Sequence, residues 1–319
     1  MKKVYIGVDI GGTKIAFGIF GEDFSLISKH RFAFDNQKTA EYLMDKLADE
    51  ILQALAAQGL GRENLLGIGI GAPGTPDMKE GKVLVCANAS TLNGYPIGPH
   101  LEKALGAPAI IDNDANIAAI CEHELGAGQG FEHMIYSTAS TGIGGGLILN
   151  GKIFRGSYNC AGEIGHTICT YKTGREIAYS NPGSVESYAG GGNVCDEIMQ
   201  KIAAGEPTLM KELAAGGKVT GQIIKAAYEQ GDAMAAWALD QIGEYLGLLY
   251  FNLYQILNIN CYVIGGGLTN FGDELFSRIE KTFYSFYFQC PKEYPVYFKQ
   301  AKFSQDAGIY GAALLFTQQ

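Results

Sequence analysis

Val4 to Asp9 is a short apolar, β-branched run that ends at Ile10-Gly11-Gly12-Thr13-Lys14, after which Ile15 to Phe20 and Leu26 to Phe34 resume as further apolar runs. A strand, a glycine turn and another strand make a hairpin. That order excludes a dinucleotide-binding βαβ unit, in which the glycine turn must open a helix. Ala40 to Ala57 follows with Leu43, Leu47, Ile51 and Leu55 at helical spacing, stopped by Gly59 and Gly61. Leu65 to Ile70 reads as a strand leading into Gly71-Ala72-Pro73-Gly74, and Ala109 to Ile111 as another, with a helix beginning at Asn113-Asp114 and running to about Gly126. The second half repeats the plan. Met134 to Ser137 leads to Ser140 through Gly146, then Leu147 to Leu149 and a turn at Asn150-Gly151. Asn260 to Ile264 runs into Gly265-Gly266-Gly267, Val296 to Phe298 is a last strand, and Ala307 to Phe316 a small-residue helix. The pattern predicts a duplicated α/β unit.

A chain of 319 residues has room for about two domains. With 47% hydrophobic and 18% charged residues it can fill sizeable cores and is no disordered chain. Glycine is in excess, 44 residues without a Gly-X-Y period, which excludes collagen and points to binding loops made of backbone. A net charge of −9 argues against nonspecific nucleic-acid binding. Asp9 and Lys14 interrupt the apolar stretch that a signal peptide would need after Met1-Lys2-Lys3, and Asp240 and Glu244 make Ala235 to Leu257 a buried helix and not a membrane span. Seven scattered cysteines, odd in number and without CxxC spacing, read as reduced cytosolic thiols.

Two such lobes facing each other would aim both hairpin turns at a common cleft. Backbone N–H groups in glycine turns make concave donors for phosphate oxygens. A single Gly-Gly turn is more economically a tight turn and nothing else. Two of them, each with a threonine (Thr13, Thr141) and one preceded by Asp9, favour phosphate.

Six motifs then stand in register: Asp9-Ile10-Gly11-Gly12-Thr13-Lys14, Gly69 to Gly74, Asn113-Asp114-Ala115-Asn116, Thr141 to Gly146, Gly162-Glu163-Ile164-Gly165-His166 and Ile264 to Gly267. Over nearly the whole chain, Val4 to about Ala313, they resemble the ROK family of bacterial sugar kinases and sugar-responsive repressors. The resemblance implies an α/β, two-lobed actin-like/sugar kinase/Hsp70 ATPase fold, with duplicated ribonuclease-H-like domains around a cleft. The lobes are expected at 1–112, with the C-terminal helix 306–319 packing back on it, and at 113–305. Because the first strand begins at Val4, the helix-turn-helix of the repressor branch is not expected.

By the same resemblance Asp114 is the catalytic proton acceptor facing the 6-hydroxyl of a hexose; from sequence alone, an N-cap is the commoner use of an aspartate at a helix start. Asn88, Asn113, Glu163, His166 and Glu186 match sugar contacts. Asp9 would hold Mg²⁺ through water, as suits an ion that keeps its hydration shell. Gly11, Gly12, Thr13 and Lys14 would meet one end of the ATP phosphate chain and Thr141 and Gly142 the other, with Gly266 and Gly267 beside the adenosine. The implied activity is ATP-dependent phosphorylation of a hexose, glucose by default, in a cytoplasmic homodimer without nucleic-acid or membrane partners. Fructose, mannose and N-acylated hexosamines compete as substrates, polyphosphate as donor, and a non-catalytic sugar sensor is the reading from another class; the presence of both Asp9 and Asp114 favours the enzyme.

One departure from the family stands out. Its members commonly carry Cys-x-Cys-Gly-x-x-Gly-Cys-x-Glu, whose thiolates bind structural zinc with the preceding histidine. Aligned on Glu186, this chain has Ile177, Tyr179 and Ser184 at the three cysteine positions, and Cys160 and Cys169 are too few and too irregularly spaced to rebuild the site. No zinc is expected. Thr170 to Pro182 should pack through side chains, with Tyr179 or a backbone carbonyl orienting His166. Tyr95 is expected to stand where the family often has a tryptophan near the sugar, and the aromatic stretch Phe283 to Phe288 to be partly core, with an interface patch as the other use.

Overall fold

A computed structural model describes residues 2–86, 89–172, 174–175, 181–286 and 294–318. The first three strands, β1 (Val4–Ile10), β2 (Lys14–Gly21) and β3 (Leu26–Ala33), pair antiparallel, so the glycine turn at 11–13 closes a hairpin. Helix α1 (Ala40–Ala57) carries the chain to β4 (Leu65–Ala72), which runs parallel to β1. A small ribbon of β5 (Thr75–Asp77) and β6 (Lys82–Val85) and the helix α2 (Ile97–Leu105) precede β7 (Ala109–Asn113), parallel to β4, and α3 (Asp114–Glu124). The sheet order is β3-β2-β1-β4-β7.

The second sheet is built from β8 (Met134–Ala139), β9 (Ile143–Leu149), β10 (Lys152–Phe154), β11 (Cys261–Gly265) and β12 (Tyr297–Gln300) in the order β10-β9-β8-β11-β12. Its first strands again form the hairpin side, and β11 and β12 again run parallel beside β8. The duplication expected from the glycine hairpins is therefore a repeat of topology, present where sequence similarity between the halves is slight. Helices α4 (Val185–Ala189), α5 (Gly191–Ala203), α6 (Met210–Leu213), α7 (Gly221–Glu229) and α8 (Ala233–Leu257) lie between β10 and β11, α9 (Asp273–Phe283) follows β11, and α10 (Ala307–Ala313) comes last.

The chain divides into two compact units, one of 1–132, 146–161 and 303–319, the other of 133–145 and 162–302. The expected break at 112/113 thus falls inside the first unit, which also holds α3, β10 and α10. One face of its sheet is covered by α1, whose Leu43, Leu47, Ile51 and Leu55 are fully buried at the predicted spacing. Against the other face lies α10. A Cβ on Gly7 would stand 2.0 Å from the Ile309 carbonyl oxygen, and one on Gly69 1.7 Å from that of Ala312. Backbone thus packs on backbone, which explains why the helix is made of small residues.

In the second unit Tyr250, Tyr262, Phe283 and Phe298 form an aromatic cluster, with the Tyr250 hydroxyl 2.6 Å from Ser137 Oγ. Asp232 caps α8 by accepting from Ala235 N at 2.8 Å, and Asp240 leaves the helix to meet Arg278 Nε at 2.6 Å. Among the described residues no helix is long and apolar enough to cross a membrane. Phe283 is buried, Tyr284 and Phe286 are partly exposed, and Tyr287 and Phe288 lie outside the described residues.

Candidate active site

In the first unit the carboxyl ends of three neighbouring parallel strands line up. Asp9 pairs in register with Gly71 and Gly71 with Asp112, so Asp9 and Asp112 stand two strands apart, about 10 Å, in one row. Carboxyl ends of parallel strands are where such sheets receive ligands. Burial pushes the Asp9 carboxyl above its ordinary range, and nearby Lys14 offsets only part of that. Behind Asp9 is Gly308, where a Cβ would come within 2.6 Å of Asp9 Oδ2. A half-buried carboxylate of this kind, only partly compensated by Lys14, suits a hydrated divalent cation, which adds positive charge while keeping most of its waters. The hairpin turn beside it is closed by Gly11 N donating to the Lys14 carbonyl at 2.9 Å, with Thr13 exposed at its tip.

Asn113 and Asp114 divide the labour at the start of α3. Asn113 has extended backbone and is the N-cap: its Oδ1 accepts from Ala115 N at 2.8 Å, and its Nδ2 donates to the Gly74 carbonyl at 2.9 Å. Asp114 is the first helical residue and is exposed, with Oδ1 accepting from Ala115 N at 2.9 Å. The capping role that competed for Asp114 belongs to its neighbour. Asn113, in turn, spends its amide on holding the Gly71–Gly74 loop.

Two residues that sequence reasoning missed support this corner. Asp112, fully buried, accepts from Asn113 N at 2.7 Å, from Asn116 Nδ2 at 2.9 Å and from Arg155 Nε at 2.8 Å. Arg155 has no periodic or motif signal that could have revealed it. Tyr95, expected near the sugar, bonds through its hydroxyl to His100 Nδ1 at 2.8 Å and packs on the core of this unit. Asn88 lies outside the described residues.

In the second unit the other hairpin turn is held from three sides. Gly191 N and Gly192 N, opening α5, donate to the carbonyls of Ser140 and Thr141 at 2.8 and 2.9 Å. Glu186 Oε2 accepts from Ile143 N at 2.7 Å and would lie 2.4 Å from a Cβ on Gly142. Gly266, with φ +90°, presses against Ala139, where a Cβ would meet the carbonyl oxygen at 2.4 Å. A pocket of about 950 Å³ opens here, lined by Thr141, Gly192, Cys195, Thr220, Gly267 and Phe271 among others. That volume is at the upper end of small-molecule sites. The glycines of α5 and the α7 residues on its wall were not singled out from sequence, although Gly190-Gly191-Gly192 was a visible signal.

The Glu163–His166 segment lies along β9. A Cβ on Gly165 would stand 2.2 Å from the Ile143 carbonyl oxygen, and one on Gly145 2.6 Å from Ile164 Cδ1. Glu163 and His166 face each other at 3.6 Å between Oε2 and Nε2, both partly open to solvent. Glu163, His166, Glu186, Thr141 and Gly142 are thereby gathered around one glycine hairpin. The positions near this segment that the family pattern gives to zinc ligands, and the two nearby cysteines, are bonded otherwise where they are described. Ser184 is buried as the N-cap of α4; Cys169 Sγ donates to the Gly183 carbonyl and Cys160 Sγ to that of Tyr158, both at 3.2 Å. Ile177 and Tyr179 are outside the described residues.

Two sheets of the same strand order, each a hairpin followed by parallel strands, define an actin-like sugar-kinase fold with duplicated ribonuclease-H-like cores. The ROK family model matches residues 5–319, and the chain belongs to that family. It is 31% identical to a glucokinase of Halalkalibacterium halodurans, over 99% of this chain and 95% of that protein. It is 33% identical to an N-acetyl-D-glucosamine kinase of Photobacterium profundum, over 98% of this chain and 99% of that protein. Among solved structures, a ROK family glucokinase from Streptomyces griseus in complex with glucose and AMPPNP has a TM-score of 0.80 at 30% identity, covering 99% of this chain and 100% of that one.

Proposed function

We propose that this chain transfers a phosphoryl group from ATP to the primary (6-) hydroxyl of a hexose, with glucose as the default substrate. The observation that carries the proposal is the pair of carboxylates at the strand ends of the first unit: half-buried Asp9 and exposed Asp114, with Asn113 rather than Asp114 as the N-cap of α3. Asp114 accepts the proton of the 6-hydroxyl as that oxygen attacks. Its position in the first turn of α3 complements the helix dipole. Asn113 keeps the Gly71–Gly74 loop in place, and Glu163, His166 and Glu186 accept from and donate to the ring hydroxyls, whose stereochemistry several fixed partners can discriminate. Asn88 is assigned to the sugar by resemblance alone.

Gly11, Gly12, Thr13 and Lys14 are assigned to one end of the phosphate chain, Thr141 and Gly142 to the other, and Gly266 and Gly267 to the adenosine. The size of the pocket beside Thr141 and Gly267 supports that last assignment. Mg²⁺, held by Asp9 through water, would neutralise phosphate charge. Glucokinases and N-acetylglucosamine kinases resemble the chain about equally, so the choice of hexose rests on the sugar-facing side chains.

ADP release with Mg-ATP across a panel of glucose, mannose, fructose, N-acetylglucosamine and N-acetylmannosamine tests the reading. Stimulation by one sugar is expected. Sugar-dependent thermal stabilisation without stimulation by any of them would transfer the protein to the sensor class. Asp114→Asn should abolish turnover and spare sugar binding; a near-normal kcat would remove Asp114 from the mechanism.

A further inference from the structure

The segment to which the family resemblance assigns zinc ligands is tied down in this chain by side chains of three helices. Cys169 N and Thr170 N donate to the Gly183 carbonyl at 2.9 and 3.1 Å, and Val185 N donates to that of Thr167 at 2.9 Å. The segments 167–170 and 183–185 are thus bonded backbone to backbone around an isolated antiparallel bridge between Ile168 and Ser184, directly between His166 and Glu186. Around this pairing Arg175 reaches from the intervening loop to α4 and α5: Nη1 donates to Glu197 and Nη2 to the Ser187 carbonyl, while Nε has no partner among the described residues. The guanidinium lies over the Tyr188 ring, 5.7 Å from its centroid. Tyr188 stacks on Tyr245 of α8 at 4.2 Å, and its hydroxyl meets Thr170 Oγ1 at 2.8 Å and Arg175 N at 3.3 Å. Gln241, also of α8, donates to the Tyr188 carbonyl at 3.0 Å and to Glu197 at 3.2 Å.

Among the described residues this network gathers side chains that bond to one another and to backbone. The two cysteines near the segment each donate Sγ–H to a backbone carbonyl, and no group of three or more His, Cys, Asp or Glu side chains able to hold an ion occurs among the described residues. Ser184, at one of the cysteine positions that the family resemblance implies, accepts from Ser187 N and is fully buried.

We propose that Arg175, clamped between Glu197 and the Tyr188–Tyr245 stack, is a positioning residue that takes the place of the zinc implied by the family pattern: it pins the loop that joins segments 167–170 and 183–185 to α4 and α5 and thereby sets the spacing of His166 and Glu186. The guanidinium fork is what the role requires. Two N–H groups leave it in fixed, divergent directions toward a carboxylate and a carbonyl, which a lysine ammonium cannot reproduce on one planar scaffold. The consequence for catalysis rests on the sugar-binding role given above to His166 and Glu186; the clasp itself does not.

The test combines amide hydrogen exchange with steady-state kinetics on the full chain. In the wild type, amides 169, 170, 183 and 185 should be equally protected, and the Tm unchanged, before and after treatment with a zinc-selective chelator. Arg175→Ala should speed their exchange by about 10-fold or more and raise the sugar KM by a similar factor, with the Mg-ATP KM almost unmoved. Arg175→Lys should not rescue. Glu197→Gln, which keeps an acceptor oxygen for Nη1, should fall between wild type and Arg175→Ala and serves if the alanine variant folds poorly. Unchanged exchange in both variants, or exchange released by the chelator in the wild type, overturns the clasp. Equal rises in both KM values overturn its positioning role. If no hexose is phosphorylated by the wild type, the kinase reading fails while the exchange data still decide the clasp.

Discussion

Gly308 and Gly311 sit one turn apart on α10, and alanine at each should fail for a different reason. At Gly308 a Cβ would stand 2.5 Å from Asp9 Cγ and 2.6 Å from Oδ2, so something must give by about 0.9 Å to reach ordinary contact. What gives is a short carboxylate side chain. The substitution also improves helix propensity by up to ~1 kcal/mol. Set against an overpacking cost of about 1–3 kcal/mol, the net loss of stability should be small, with a fall in Tm of no more than about 5 °C. The functional cost is larger. Displacing the carboxylate assigned to the nucleotide's metal forfeits a charge-assisted contact of about 1.5–3 kcal/mol, which is roughly 10- to 150-fold in kcat/KM for Mg-ATP. At Gly311 the Cβ would meet the Ile117 carbonyl oxygen at 1.7 Å and its carbon at 2.4 Å. Both are backbone of α3, so the two helices must separate, and about 3 kcal/mol or more should be lost. Gly311→Ala should therefore melt well below Gly308→Ala yet turn over better in its folded fraction. Thermal melts and a coupled ADP assay, run on both variants at 15–20 °C (a range chosen on the order of the usual stability maximum), measure the two effects separately. Wild-type kcat/KM for Mg-ATP in Gly308→Ala would refute the placement of Asp9 in the reaction.

Other variants probe the second unit and the buried charges. Gly142→Ala puts a Cβ 2.4 Å from Glu186 Oε2 and should break its bond to Ile143 N, raising the sugar KM by about 10-fold; an unchanged KM would detach Glu186 from the turn. Arg155→Ala leaves the fully buried Asp112 carboxylate without its cation and should cost about 3–5 kcal/mol in urea unfolding, with a loss below ~1 kcal/mol counting against the pair. Burial works against the charge of Asp232, but hydrogen bonds from Leu209 N, Ala235 N and Thr208 outweigh it and hold its carboxyl below the usual range. Its folded value is depressed, so its stabilisation is complete above the unfolded carboxyl value and disappears as pH falls through the folded one. Asp232→Ala should thus cost ~1–2 kcal/mol at pH 6–7, and its Tm deficit should narrow as pH falls below the usual carboxylate range; a pH-independent difference would contradict the cap's charge.

Features that rest on local physics were legible in the sequence, and those that rest on distant backbone were not. The hairpins announce themselves because a glycine turn between two β-branched runs has one inexpensive geometry, and α1 because four leucines and isoleucines recur at one helical face. The choice between Asn113 and Asp114 as cap is different. Both are good capping residues, adjacent in the chain, and only the extended backbone of Asn113, φ −68° and ψ 147°, decides which one caps the helix. The glycines of β1 and β4 look like generic flexibility in sequence; their reason is the backbone of α10, some 300 residues away in Gly7 and about 240 in Gly69, which no local pattern encodes. The same holds for Asp112 with Arg155 and for Arg175 with Glu197, where the partners share neither a helix nor a strand. Loss of three cysteines was visible in the sequence as an absence. What fills the role could be found only from the packing, because a hydrogen-bonded clasp assembled from a loop and three helices has no fixed spacing to read, whereas a metal site does.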